Sequence, residues 1–219
     1  MTLTQRFLTN PLLIRDDRSI LFSHHHQGER MGADTRQIIA DKALDLFHRN
    51  GYTATGVNDI AKAAGVPKGS FYHFFDSKEA LALEAVALYS STIRLDLLDG
   101  PSESPLQRIR DHIERAVKSA AVDDFTKGCL LGNFSTEMPS QSDVVSDAVA
   151  KSLTTWTQRV AATITEAQEA GEIAATSDPE RLAQVIVSGL EGSLAHAKVL
   201  RSRAPLDDFV DTVFSHLLV

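Results

Sequence analysis

The chain has 219 residues, 43% of them apolar and 23% charged, with 12 glycines and 7 prolines. That is enough apolar side chain for a sizeable core, and it excludes wholesale disorder, a collagen-like repeat and Pro/Gly-rich low complexity. The formal net charge of −7 alone argues against a nucleic-acid partner, but residues 1–30 sum to +1, residues 31–95 to 0 and residues 96–219 to −8, so the net negative charge lies in the C-terminal part.

A single cysteine, Cys129, leaves no internal disulfide. No run reaches the ~18 apolar residues of a membrane helix. Asn10-Pro11 and the charged run Arg15-Asp16-Asp17-Arg18 spoil the N-terminus as a secretory signal. A cytoplasmic protein with no membrane partner is expected.

Residues 1–30 show no sustained period and include His24-His25-His26. Three adjacent histidines can hold a metal weakly. A disordered tail or an expression or start-site artefact is expected, with Met31 a natural start. From Asp34 the pattern is helical nearly throughout. Ile39, Ala43, Leu46 and Phe47 share one face, and Asn50-Gly51 ends that helix. Val57, Ile60, Ala61 and Ala64 form a shorter stripe with Thr55 as N-cap, stopped at Gly65. Pro67 opens a third short helix on which Phe71 and Phe74, with Phe75, face inward. Asp76-Ser77-Lys78-Glu79 reads as a capping box for a fourth helix to about Leu95.

Asp99-Gly100-Pro101 breaks the chain. Beyond it, helices are predicted at about 104–122, 128–138, 142–170, 178–202 and 205–218. No segment alternates like a strand, and no repeat of 20–50 residues is present. The expected fold is all-α with about nine helices, divided into an extension (1–30), a three-helix domain (31–80) and a helical C-terminal domain (81–219), the fourth helix connecting.

The informative segment is Gly51–Glu84, GYTATGVNDIAKAAGVPKGSFYHFFDSKEALALE. It reads as a short helix, a tight turn at Gly65-Val66 and a second short helix, which is a helix-turn-helix. Ala61 and Ala64 let the two helices approach. The second helix turns aromatic rings inward and Lys68, Ser70, Tyr72 and His73 outward, with Gly69 allowing close approach of the backbone. Those outward groups suit phosphates and base edges.

This stretch resembles the DNA-binding domain of the TetR family of bacterial transcription regulators. The pattern G-Y-x-x-T-x-V-x-D-I-A-x-x-A-G-V-x-K-G-x-F-Y-H-x-F-x-S-K-E is met nearly in full, and the resemblance covers about residues 34–90. It implies a three-helix DNA-binding domain, a connecting helix and an all-helical ligand-binding and dimerisation domain. Matched position by position, Thr55, Lys68, Gly69, Ser70, Tyr72, His73 and Lys78 fall at the family's usual DNA-contacting places. Pro67 departs from the family's frequent Ser or Thr and removes a hydroxyl cap.

The resemblance further implies a homodimer on a double-stranded, pseudo-palindromic operator, with half-sites about 34–36 Å apart or a multiple. The last two helices are the expected interface, through Leu182, Ile186, Gly189, Leu190, Ser193, Phe209, Val213 and Phe214. A small organic effector would bind the C-terminal domain, with His112, Cys129, Asn133, Phe134, Trp156 and His196 as candidate contacts. Lys127-Gly-Cys-Leu-Leu-Gly-Asn-Phe134 resembles a branch of the family in which some members sense electrophiles or oxidants through a cysteine. Near a helix start the Cys129 pKa would fall; the alternative is a small core hydrophobe.

Catalytic residues, a resident metal and a cofactor are not expected: there is no Gly-rich phosphate loop, HExxH, paired Cys/His spacing or nucleophile elbow. The competing reading is a helical small-molecule carrier or enzyme without DNA binding.

Overall fold

The computed structural model describes the backbone of residues 18–100 and 104–219, and the side chains of residues 32–100 and 104–219. Among these residues run nine α-helices: α1 (Arg18–Asn50), α2 (Val57–Ala63), α3 (Lys68–Phe74), α4 (Lys78–Thr92), α5 (Pro105–Val122), α6 (Leu130–Glu137), α7 (Asp143–Glu169), α8 (Pro179–Leu200) and α9 (Ala204–Thr212). Every regular element among the described residues is helical, as the periodicity predicts. The first helix begins at Arg18, well upstream of the expected Asp34–Thr35 start, so His24–His26 fall on helical backbone; their side chains lie outside the described residues. The described residues divide into two units between Gln37 and Ile38, and the candidate sites belong to the second.

Local chemistry sets most boundaries. Ser77, Ser104, Ser142 and Asp178 cap α4, α5, α7 and α8, each side chain accepting from a backbone N–H of the first turn. Pro105 and Pro179 take first-turn positions where no N–H is needed. Two expected caps are displaced by one residue. Gly56, not Thr55, precedes α2, and Ser77, not Asp76, caps α4. Pro67 sits just outside α3 with φ −59°.

The turn between α2 and α3 is held by Gly65 at φ +69° and by the Val66 N–H donating to Ala61 O at 3.0 Å. An L side chain is disfavoured at that φ, by roughly 1–2 kcal/mol.

Ile39, Ala43 and Phe47 of α1, Ile60 of α2 and Phe71 of α3 are all completely buried. Phe75 joins them, while Phe74 stays half-buried; the residue after the helix turns back toward the core and takes the place expected for Phe74. Full burial of each phenyl ring stabilises the fold by about 1.5–3 kcal/mol. In the C-terminal part α7 packs on α5 and α8, α8 on α9, and α9 on α5. Val213–Leu217 continue α9 as a π-turn.

Candidate nucleic-acid interface and ligand cavity

The outward side of α3 is built as predicted. Lys68, Gly69, Tyr72 and His73 are exposed, Ser70 is partly so, and Tyr72 keeps 54% of its surface in solvent. Each outward ring stands edge-on against an inward neighbour. Tyr72 lies 5.1 Å from the buried Phe71 ring at 80°, and His73 lies 4.8 Å from Phe74 at 76°. Such edge-to-face contacts restrict the rotamers of the exposed rings. The result is a preset donor surface on a short helix.

Two residues expected to touch DNA do something else. Thr55 is 1% exposed; its hydroxyl donates to Gly51 O at 2.7 Å, with Leu46 O a more distant acceptor at 3.3 Å. That corrects the expectation from the motif: the side chain latches the α1–α2 corner and cannot reach a phosphate. The Lys78 ammonium donates to Tyr52 O and Thr55 O, both at 3.1 Å, and lies 4.0 Å from the centre of the Tyr52 ring. Burial lowers its pKa. Lys78 is a strut beneath the same corner, with two of its three N–H groups committed inward.

The corner itself is gripped from α6, a feature with no local sequence signal. Glu137, the last residue of α6, accepts from the backbone N–H of Tyr52 at 2.8 Å and of Thr53 at 2.6 Å. Burial acts to raise the Glu137 pKa, but the hydrogen bonds from Thr53 and Tyr52 and the Lys78 charge outweigh it and hold the carboxyl below its usual range. Gly51 makes room for this carboxylate. It has φ +83°, and a Cβ there would lie 2.8 Å from Glu137 Oε2. At the other end of α6, the Asn133 amide donates to His48 O at 3.2 Å and Lys127 O at 3.0 Å. His48 Nε2 meets Gly128 O at 2.8 Å. Ser142, capping α7, donates to Glu79 of α4 at 2.6 Å.

The six candidate ligand residues separate. His112, Cys129 and Trp156 line a small cavity of about 70 Å³ together with His48 and Tyr89. Trp156 Nε1 donates to His112 Nε2 at 2.7 Å, and burial lowers the His112 pKa to about 4. The ring is therefore neutral, with its proton on Nδ1. Cys129 and Asn133 line a cavity of about 1320 Å³ between α6, α7 and α8. Cys129 is thus a wall shared by both spaces.

Its position before α6 does not activate the thiol. Burial first, and the nearby Glu191 charge second, push its pKa well above the ordinary value, which overturns the expected depression. Phe134 lines neither space. It is completely buried, 5.9 Å from Phe47 and 6.3 Å from Tyr52, and welds α6 to α1. His196 is exposed in a separate groove between α8 and α9, beside Phe209.

The expected interface residues also divide. Ile186, Leu190 and Val213 are at most 1% exposed, so they close the core of the chain itself and are unavailable to a partner. Leu182 is half-buried against the core, and Phe214 lies under Arg110, 3.9 Å from its guanidinium carbon. Gly189 and Ser193 stay on the α8–α9 groove with Phe209. The outer side of α8 carries Val185 and Val199, at 54% and 80% exposure, with exposed Gly192 between them. Among the described residues no helix is long and apolar enough to cross a membrane.

Comparison with known proteins places these features together. Residues 39–85 match the bacterial regulatory proteins, tetR family. Residues 105–213 match the tetracyclin repressor-like C-terminal domain. The HTH-type transcriptional repressor DhaR of Mycobacterium sp. (strain GP1) is 34% identical over 84% of this chain and 92% of its own length. A crystal structure of a regulatory protein TetR from Rhodobacter sphaeroides superposes with a TM-score of 0.78 at 35% identity, covering 84% of this chain and 98% of that one. A cysteine-substituted form of the TetR family transcriptional regulator CifR, in complex with 26-bp double-strand operator DNA, superposes with a TM-score of 0.73 at 26% identity, covering 82% and 95%.

Proposed function

The chain belongs to the TetR family of bacterial regulatory proteins, and from that premise we propose how this DNA-binding transcriptional regulator works: as a cytoplasmic homodimeric repressor that leaves its operator when a small organic molecule enters the C-terminal domain. The observation that carries the reading is the outward side of α3, where Lys68, Tyr72 and His73 stand exposed above a buried aromatic floor. Lys68 and Ser70 bind phosphates, Tyr72 and His73 meet phosphates or base edges, and Gly69 lets the backbone come close. Thr55 and Lys78 act as positioning residues. The charge of −8 on residues 96–219 keeps the duplex on the α3 side.

Two subunits pair through the outer stripe Val185, Gly192 and Val199 and the adjoining Gly189, Ser193 and Phe209. Such a two-fold surface suits a pseudo-palindromic site. The effector acts through α6, which forms one wall of the large cavity and ends in the Glu137 grip on the corner before α2. Shifting that helix moves the two reading helices of the dimer relative to each other. A coupling of about 1–3 kcal/mol lowers operator affinity about 5–150-fold.

The test is selection of a duplex from a random pool by the purified full-length chain, followed by titration across salt. Binding should weaken steeply with salt. Lys68→Ala should reduce the salt slope by about one for each phosphate that the ammonium neutralises. Tyr72→Ala should weaken binding more on the selected site than on random duplex. Salt-independent binding, or indifference to both substitutions, would overturn the reading.

A further inference from the structure

We propose that residues 123–128, the loop between α5 and α6, form a strained latch on the C-terminal end of α1, and that Lys127 is the positioning residue that closes it. This rests on the reading of the chain as an operator-binding regulator, and adds a contact through which the C-terminal domain sets the reading unit.

Charge fastens the loop. The Lys127 ammonium, 15% exposed, lies 3.0 Å from the Asp45 carboxylate of α1 and 2.9 Å from that of Asp123. Arg49 of α1 completes the network, 3.2 Å from Asp45 and 3.9 Å from Asp123. Helix and loop thus each contribute one acid and one base, and each base faces an acid on the opposite side. Burial acts to lower the Lys127 pKa, but the hydrogen bonds to Asp123 and Asp45 outweigh it and raise it. Burial acts to raise the Asp45 pKa, and the bonds from Lys127 and Arg49 outweigh that too. The pair is therefore ionised at neutral pH. Neutral contacts lie beside it. His48 Nε2 meets Gly128 O, and the Asn133 amide bridges His48 O and Lys127 O.

The backbone of the loop is strained. Gly128 has φ +72°, which glycine adopts readily, but Asp124 and Phe125 reach +49° and +55° with no glycine at either place. Left-handed backbone is uncommon away from glycine and an outlier for a residue as bulky as Phe. It persists only where the surroundings hold it. Local bonds supply part of the hold: the Phe125 N–H donates to Ala120 O and the Thr126 N–H to Asp123 O, both at 3.0 Å. The Lys127 network supplies the rest by anchoring the chain two residues past Phe125.

The loop borders both spaces. Asp123, Lys127 and Gly128 line the small one with His48, and Cys129, next in the chain, lines both. A molecule that displaces the loop from either side pulls on α1, whose Ile39, Ala43 and Phe47 share one buried core with Ile60 of α2 and Phe71 of α3.

The experiment uses the full-length chain and a duplex selected from a random pool. Lys127→Met should weaken operator binding about fivefold or more, with the salt slope unchanged. Exchange at the Phe125 and Thr126 amides should quicken about tenfold. Lys127→Arg keeps the charge and should restore most of both. Asp45→Asn should act in the same direction and add little to Lys127→Met. Asp45 is half-exposed, so this variant carries the test if Lys127→Met fails to fold. Asp124→Gly relieves the left-handed backbone. Its effect on the unfolding midpoint should be more favourable in the wild-type chain than beside Lys127→Met, a difference in which the unfolded-chain cost of glycine cancels.

The latch is overturned if a folded Lys127→Met protein binds the duplex as tightly as the wild type, or if Asp124→Gly acts equally in both backgrounds. It is also overturned if the salt slope falls by about one, which would place the Lys127 ammonium on a phosphate. A chain that ignores duplex DNA altogether removes the regulator reading instead, and the exchange and unfolding comparisons then decide whether the loop is latched.

Discussion

Residues 51–78 and residues 129–191 each carry a candidate site, and they assemble it differently. In the first, the groups that matter lie within one or two helical turns of each other. Tyr72 and His73 project from one side of α3 because Phe71 and Phe75 occupy the other. In the second, Glu191 of α8 reaches Gly132 of α6, and Glu137 of α6 reaches Tyr52 and Thr53, 84–85 residues upstream. Side chains set by short-range periodicity face outward for a rigid external partner. Those set by tertiary packing line a half-open space between α6, α7 and α8.

The sharpest way to break this contrast is at Phe134, a residue whose sequence context suggested ligand contact and whose packing places it between α1 and α6. Phe134→Ala should destabilise the protein by about 3–5 kcal/mol, read by denaturant unfolding. An unaltered unfolding midpoint with no effector response would put Phe134 back in the binding site. The next effect is pH dependence from His112. Its folded pKa of about 4 lies below the unfolded value, so the neutral ring stabilises the fold above pH ~6.5. That contribution disappears as pH falls from ~6.5 toward 4, amounting to roughly 3 kcal/mol. His48, also lowered by burial, adds in the same direction. His112→Asn should flatten the slope of stability against pH across this window, and an unchanged slope would discredit the assignment.

The outward side of α3, the capping Ser104 and Ser142 and the helical class were legible because each depends on neighbours within about four residues. Thr55 shows the limit even there. Its spacing in the motif is the family's, yet burial turns its hydroxyl to Gly51 and Leu46 carbonyls. Ile186, Leu190 and Val213 show the limit in the C-terminal part. An apolar stripe reveals that a side chain will be buried, but not whether its own chain or a second copy does the burying. Cys129 shows the third kind. A helix start would depress its pKa, and only the packing around it reveals that desolvation dominates. Glu137 offered no signal, since a Glu at a helix end is ordinarily a solvated charge.

Two glycines allow the comparison to be sharpened at the level of single atoms. Gly51 and Gly65 both have positive φ, so either Gly→Ala substitution carries backbone strain of about 1–2 kcal/mol. The space around them differs. Nothing lies within 4 Å of a Cβ at Gly65, whereas a Cβ at Gly51 would lie 2.8 Å from Glu137 Oε2. Gly51→Ala should therefore cost more than Gly65→Ala, and it should also loosen the Glu137 grip, seen as faster hydrogen exchange at the Tyr52 and Thr53 amides. Glu137→Ala alone should cost about 1–2 kcal/mol by removing two charge-assisted hydrogen bonds on a partly exposed group. In the Glu137→Ala background the excess cost at Gly51 should vanish, leaving the two glycine substitutions about equal, while Gly65→Ala should be additive with Glu137→Ala. If the excess at Gly51 persists without the Glu137 carboxylate, the corner is strained by its own backbone and α6 does not hold it, and the route from cavity to reading helix would have to run through the 123–128 loop or α4 instead.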